Sequence, residues 1–372
     1  MREERIKVLI VDDSKIMQQI LMKIFSLDPD IEVVGVASDP FIARDLIKTL
    51  QPDVLTLDIE MPKMDGITFL KNLMRLHPMP VIMVSSFTEK GSAITLEALA
   101  LGAVDYIKKP ATEELHDLGN YANRLIQLVK NASQAKVRSP LLHPFTHSTD
   151  ENNTVMNYMQ PDYLSEYIIA IGASTGGIEA IERVLAQLPV NMPGIVIVQH
   201  IHKDFSTPFV HRLDKNYHST VLEAHEGLEI KPGHIIVAKS ETHLEVVRKR
   251  GKYICRLNRG PKLNGHKPSI DVLFYSLALA AGEKSIAVLL TGMGKDGARG
   301  MGAIQQAGGE TIAQDEASSV VWGMPGFAVD LQAANYILPI DEIGKHIIQQ
   351  LQRKNANEKT PKRGSIIHDK SE

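Results

Sequence analysis

A serine in a glycine-rich turn, a histidine and an aspartate are the residues of this chain that could carry acyl transfer. The serine is Ser174, in the stretch Tyr167–Gly177, YIIAIGASTGG. An apolar run, Tyr167–Ile171, meets a turn of Gly172, Ala173, Ser174, Thr175, Gly176 and Gly177. Ile178, Ala180 and Ile181 then open a helix. Strand, sharp turn and helix push a serine hydroxyl out of the backbone, and Gly172–Gly176 fits the G-x-S-x-G elbow. Read alone, the stretch serves equally well as a phosphate cradle at a helix N-terminus.

Two further apolar runs supply partners. Gly194–Val198 ends at Gln199-His200, and Ser285–Leu290 opens into Thr291-Gly292-Met293-Gly294-Lys295-Asp296-Gly297 before a helix over Ala298–Ala307. If the three runs lie parallel in one sheet, their ends converge at its carboxyl edge. His200 then takes the proton from Ser174, while Asp296 orients the imidazole and stabilises its charged form. The glycines around Met293 leave backbone N–H groups to face an oxyanion. A dinucleotide site wants G-x-G-x-x-G and an acid after the next strand. Here Ser174 replaces the middle glycine and that strand ends in His200, which favours acyl chemistry. The histidines at His211, His218, His225, His234, His243 and His266 fall in helices, turns or exposed segments and read as surface or hydrogen-bonded residues.

A second chemistry lies in the first half. Strand-like runs end at Asp12-Asp13, at Asp58, at Ser85 and at Lys108-Lys109-Pro110. Gathered at one sheet edge, Asp12, Asp13 and Asp58 would repel one another unless a cation sat between them. Oxygen ligands in that number suit Mg²⁺, which keeps several waters. Asp58 can then attack a phosphoryl donor. Ser85 and Lys109 can hydrogen-bond and neutralise the new oxygens.

The elements needed to position these residues are legible. Runs at Lys7–Val11, Ile31–Ala37, Asp53–Leu57, Pro80–Val84 and Ala103–Ile107 alternate with helices, the last over Glu113–Val129. Such alternation makes a doubly wound parallel sheet. From Asn131 to Pro161 the apolar period vanishes, and His143 and His147 stand there without ligand partners. The expected fold is α/β, with two doubly wound parallel-sheet domains. A five-stranded unit covers 1–129 and a linker 130–162. A three-layer unit with a β-rich insertion at Thr220–Leu257 covers 163–353, and a disordered tail covers 354–372. Asn335–Ile340 reads as the last strand and Ile343–Leu351 as the last helix, and Trp322 as a core or cleft-wall residue.

Length and composition set outer limits. The 372 residues exceed one ordinary core. A formal net charge of -3 and the lack of a basic face in the second half argue against nucleic-acid binding. One cysteine, Cys255, excludes an internal disulfide and suits a reducing compartment. The charged N-terminus and the absence of a long apolar run point to a cytoplasmic protein that does not insert into membranes.

Over about Lys7 to Val129 the chain resembles the receiver domain of two-component response regulators. The matching residues are Asp12-Asp13, Asp58 with the Met61-Pro62 to Asp65-Gly66 loop, Ser85 and Lys109-Pro110. The resemblance implies that Asp58 is the phosphoacceptor and that Tyr106 is the aromatic reoriented on phosphorylation. The second half resembles the chemotaxis response-regulator methylesterases. The motifs are Gly172–Gly177, Gln199-His200, Lys267-Pro268-Ser269-Ile270-Asp271, Leu290–Gly294 with Asp296-Gly297, and Gly323-Met324-Pro325. That resemblance implies a triad of Ser174, His200 and Asp296, with Thr175 and Met293 supporting the site. It implies a cytoplasmic, phosphorylation-activated protein-glutamate methylesterase and protein-glutamine glutaminase, with no cofactor in its catalytic domain. The substrates implied are chemotaxis receptors, the phosphodonor a chemotaxis histidine kinase, and the expected state a monomer. Two features depart from many relatives: Ile201-His202-Lys203-Asp204-Phe205 replaces a proline-rich turn, and Ser365–Glu372 shows no tether motif.

Overall fold

A computed structural model of the chain describes residues 5–85, 89–110, 118–137 and 161–359. His143, His147, most of the expected linker and the tail beyond 359 lie outside these residues.

In the first domain, strands β1 (Ile6–Val11), β2 (Ile31–Ala37), β3 (Val54–Asp58), β4 (Val81–Ser85) and β5 (Asp105–Lys108) pair in the order β2-β1-β3-β4-β5, all parallel. Helices α1 (Lys15–Phe25), α2 (Pro40–Leu50), α3 (Gly66–Leu76), α4 (Glu89–Ala100) and α5 (Leu118–Ala132) connect or follow them. Strand β3 is buried throughout, so its run of apolar residues follows from having both faces covered. The strand order reverses between β1 and β3, where open α/β sheets collect ligands. Asp12 and Asp58 sit at that point.

The second domain begins with α6 (Pro161–Glu166) and is centred on seven strands. These are β6 (Ile168–Ala173), β7 (Gly194–Gln199), β8 (Thr220–Glu223), β9 (His234–Val237), β12 (Ser285–Leu289), β13 (Glu310–Gln314) and β14 (Tyr336–Leu338). Their order is β14-β13-β12-β6-β7-β9-β8, with every pairing parallel. Between β7 and β8 runs α8 (Lys203–Asn216), and α7 (Gly177–Ala186) follows β6. The stretch expected as an insertion divides. Strands β8 and β9 join the main sheet, and only β10 (His243–Lys249) and β11 (Lys252–Asn258) stand apart as an antiparallel hairpin. Helices α9 (Ile270–Ala281), α10 (Ala298–Gln306) and α11 (Met324–Asp330) complete the layers.

The last helix, α12 (Ile340–Lys359), is longer than the sequence pattern indicated. Residues 354–359, expected to be disordered, continue it, and Lys354 and Ala356 are good helix formers. Trp322 is half-buried, its indole N–H donating to the Gln314 carbonyl at 3.0 Å and its ring lying against Gly326. Cys255 is buried in the hairpin, and burial pushes its thiol up to about 12, so it is inert.

The two domains share a core. One cluster of buried apolar side chains runs from the first sheet through Leu96, Leu99 and Tyr106 into Phe205, Phe209 and Ile197 of the second. Helix α4 packs on α7 and α8. Beyond α5, the Lys136 N–H donates to the Val320 carbonyl at 2.9 Å and its ammonium reaches Glu316 at 2.6 Å.

Candidate active site

Strands β12, β6 and β7 are neighbours, so their carboxyl ends present Thr291, Ser174 and His200 side by side. The elbow after β6 is made tight by its glycines. Gly176 has a φ of 72°, and a Cβ on Gly177 would come 2.3 Å from the Gln199 side chain. Gln199 braces the turn, its Nε2 donating to the Ser174 carbonyl at 2.9 Å. The Ser174 N–H donates to the Thr291 carbonyl at 3.0 Å, and the His200 N–H to that of Ala173 at 3.0 Å.

His200 Nε2 lies 2.9 Å from Asp296 Oδ2. Asp296 is buried and richly supported. It accepts from Ser269 Oγ at 2.7 Å, Asn264 Nδ2 at 3.0 Å, and the N–H groups of Ile270 at 2.7 Å and Asp271 at 3.3 Å. Burial alone would raise its carboxyl. The hydrogen bond and charge of His200, with Asn264 and Ser269, instead hold it well below the usual range. With Nε2 committed to Asp296, Nδ1 is the nitrogen left for a serine proton. Among the described residues it is buried without a hydrogen-bond partner.

Thr175 and Met293 are placed differently. Thr175 Oγ1 donates to Asp105 Oδ2 of the first domain, 3.4 Å away. The Met293 side chain is exposed, while its backbone rests on Gly323, where a Cβ would lie 3.2 Å from Met293 Cα and 2.8 Å from the Gly292 carbonyl. Gly323 therefore lets that loop pack flat beneath the serine.

The first domain closes over this edge. A cleft of about 710 Å³ is lined by Ser174, His200 and His266 on one side and by Asp105, Tyr106 and Arg124 on the other. The Tyr106 hydroxyl accepts from the His202 N–H at 3.0 Å, and its ring meets Phe205 edge-on at 4.5 Å.

The acidic cluster forms at the other domain's sheet edge. Asp12, Asp13 and Asp58 can each present one oxygen, all within 4.8 Å of one another. Lys109 Nζ lies 2.7 Å from Asp58 and 2.9 Å from Asp12. Burial pushes the Asp58 carboxyl up to about 6 against the pull of Lys109. Asp12, Asp13 and Asp58 together offer three carboxylate oxygens, a hard donor set that fits Mg²⁺. Ser85 is buried at the end of the adjoining β4, and its carbonyl accepts from the Lys109 N–H at 2.8 Å.

Residues 8–118 match the family model for the response regulator receiver domain, and residues 169–347 that for CheB methylesterase. A protein-glutamate methylesterase/protein-glutamine glutaminase 1 of Hahella chejuensis is 50% identical over 343 residues, covering 92% of this chain and 95% of the relative. One from Hydrogenovibrio crunogenus is 46% identical over 379 residues, covering 94% of this chain and 100% of the relative. The chain belongs to the protein-glutamate methylesterase/protein-glutamine glutaminase family. The solved catalytic domain of Thermotoga maritima CheB methylesterase is 37% identical, with 50% of this chain and 98% of that one covered and a TM-score of 0.49. No helix among the described residues is long and apolar enough to cross a membrane.

In this methylesterase the sequence reading missed several neighbours of the site. Asn264 and Ser269 both hold Asp296, and the motif Lys267–Asp271 had marked only Ser269. Asp105 was not singled out. His266, read as a surface or hydrogen-bonded residue, lies flat on His200 with ring centroids 3.8 Å apart and planes 2° from parallel. His243 fits that reading: buried, it accepts from the Ser269 N–H at 3.1 Å and its other nitrogen lies 2.8 Å from the Pro261 carbonyl.

Proposed function

We propose that this chain is a phosphorylation-gated serine hydrolase acting on glutamate γ-methyl esters and selected glutamines of chemotaxis receptors, for sensory adaptation. The observation that carries the reading is the His200–Asp296 contact of 2.9 Å beside the Ser174 elbow, in a cleft whose far wall belongs to the receiver domain.

Ser174 Oγ attacks the side-chain carbonyl carbon while His200 Nδ1 takes its proton, and Asp296 stabilises the imidazolium. His200 then returns the proton to the leaving group. Methanol departs from the ester and ammonia from the amide, leaving the acyl group on Ser174. A water, deprotonated by the same nitrogen, cleaves that ester and frees a glutamate carboxylate. Thr175 and Met293 line the nucleophile's surroundings and shape the oxyanion position.

In the receiver, an Asp58 oxygen accepts a phosphoryl group from the phosphohistidine of a chemotaxis kinase. Asp12, Asp13 and Asp58 would hold Mg²⁺, which supplies charge neutralisation for that transfer. Lys109 and Ser85 contact the phosphoryl oxygens and draw Tyr106 away from His202, which loosens the receiver from the cleft. The protein acts in the cytoplasm as a monomer.

Methanol release from methyl-labelled receptor membranes, with and without acetyl phosphate and Mg²⁺, tests both halves. Ser174→Ala is expected to abolish release, and Asp58→Ala to remove only the stimulation. Release that survives Ser174→Ala overturns the mechanism. Stimulation that survives loss of Asp58 overturns the gating.

A further inference from the structure

We propose that His266 is a positioning residue for His200, its imidazole lying flat on the catalytic ring so that Nδ1 stays turned toward Ser174. The inference rests on the reading of Ser174 and His200 given above. The contact between His200 Nε2 and Asp296 at 2.9 Å fixes one corner of the ring. It does not fix the plane, because the terminal torsion of a histidine is broad. A second ring 3.8 Å away and 2° from parallel removes that freedom.

The local backbone is shaped to bring His266 there. Asn264 and Gly265 both adopt left-handed φ values, 53° and 82°. They reverse the chain so that Leu263 and His266 exchange backbone hydrogen bonds of 3.1 and 2.9 Å. Asparagine is among the non-glycine residues that best tolerate that conformation, and its side chain can be used for bonding as well. It is used: Nδ2 donates to Asp296 at 3.0 Å and to Asp271 at 2.8 Å. One tight turn therefore grips Asp296 through Asn264 and His200 through His266.

His266 is suited to the face it covers. Burial, followed by the nearby charge of His200, pushes it down to about 4, so it remains neutral while His200 cycles through its charged form. A neutral aromatic face attracts a cation laid over it. Charged groups lining the same cleft include Lys262 and Lys267 beside the pair and, from the receiver, Asp105 and Arg124.

The test compares His266→Ala and His266→Phe in the full chain, reading kcat and KM for methanol release from methylated receptor membranes. Loss of the stack is expected to lower kcat by about ten- to a hundredfold with little change in KM, since misplaced groups cost that much. His266→Phe, which restores a flat ring, is expected to recover most of kcat. Wild-type kcat in His266→Ala overturns the proposal. So does a His266→Phe enzyme as slow as His266→Ala with an unchanged melting temperature. Ser174→Ala run in parallel separates the failures: release that persists there removes the serine mechanism itself, whereas an inactive Ser174→Ala beside a fully active His266→Ala removes only the positioning role.

Discussion

The hydroxyl of Tyr106 accepts a hydrogen bond from the backbone N–H of His202, two residues beyond His200. A receiver side chain thus holds the chain that leaves β7. Removing the hydroxyl in Tyr106→Phe costs this contact about 1 kcal/mol, the net worth of a typical hydrogen bond. The unphosphorylated enzyme should then hydrolyse receptor esters about fivefold faster. Basal methanol release without a phosphodonor measures it, and an unchanged basal rate removes the contact from the gate.

Gly292 lies against Ser174. A Cβ there would come 2.7 Å from both Ser174 Cβ and Met324 Cε. The methionine can move aside, but the elbow cannot. Gly292→Ala should lower kcat by about a hundredfold, the cost of displacing a reacting group by roughly an ångström. The protein should remain folded, as judged by its circular dichroism.

Ser269 has two tasks. Its hydroxyl donates to Asp296 and also accepts from the Val272 N–H as the N-cap of α9. Ser269→Ala should lower stability by about 1 kcal/mol through the lost cap and reduce kcat as well. Ser269→Asp would keep the cap but set a second carboxylate against Asp296. A Ser269→Ala enzyme with reduced melting temperature and wild-type kcat would show that the Asp296 contact is catalytically idle.

The stability of the fold should carry a signature of His266. Its folded value of about 4 lies below the ordinary 6.5. Above pH 6.5 it is neutral folded or unfolded, and its contribution is complete. As pH falls from there toward 4, the unfolded chain binds a proton that the folded chain refuses, so stability drops. Asp58 and Asp105, each raised to about 6 by burial, act in the opposite sense over an overlapping range. The difference between wild type and His266→Phe in urea midpoints from pH 4 to 7 isolates the histidine. Parallel curves for the two proteins would contradict the assignment.

Asp13 is the exposed member of the acidic cluster. Asp13→Asn, or chelation of divalent cations, should reduce the rate with acetyl phosphate to the rate without it. Retained stimulation in chelator would show that phosphoryl transfer to Asp58 proceeds without Mg²⁺.

Much of this arrangement was visible in the amino-acid order because buried parallel strands write themselves as unbroken apolar runs. Their ends are then conspicuous: Asp58 after VLTL, His200 after GIVIVQ, Ser174 after YIIAIGA. The shorter β8 and β9 were not separable from the hairpin after them, since four-residue strands between turns carry no partner information. His266 was hidden for a different reason. Its place depends on a reversal at Asn264-Gly265 and on a ring more than sixty positions earlier, neither of which leaves a periodic trace. Asp105 was invisible because its contact with Thr175 exists only once two domains are docked.

Five residues after His200, Phe205 is wholly buried in the core shared by both domains. Cutting the chain between the domains would do more than release the second one. It would take away the Tyr106 ring that packs edge-on against Phe205 and turn part of a core into surface. The apolar cover of the second domain and the proposed gate thus draw on the same few positions.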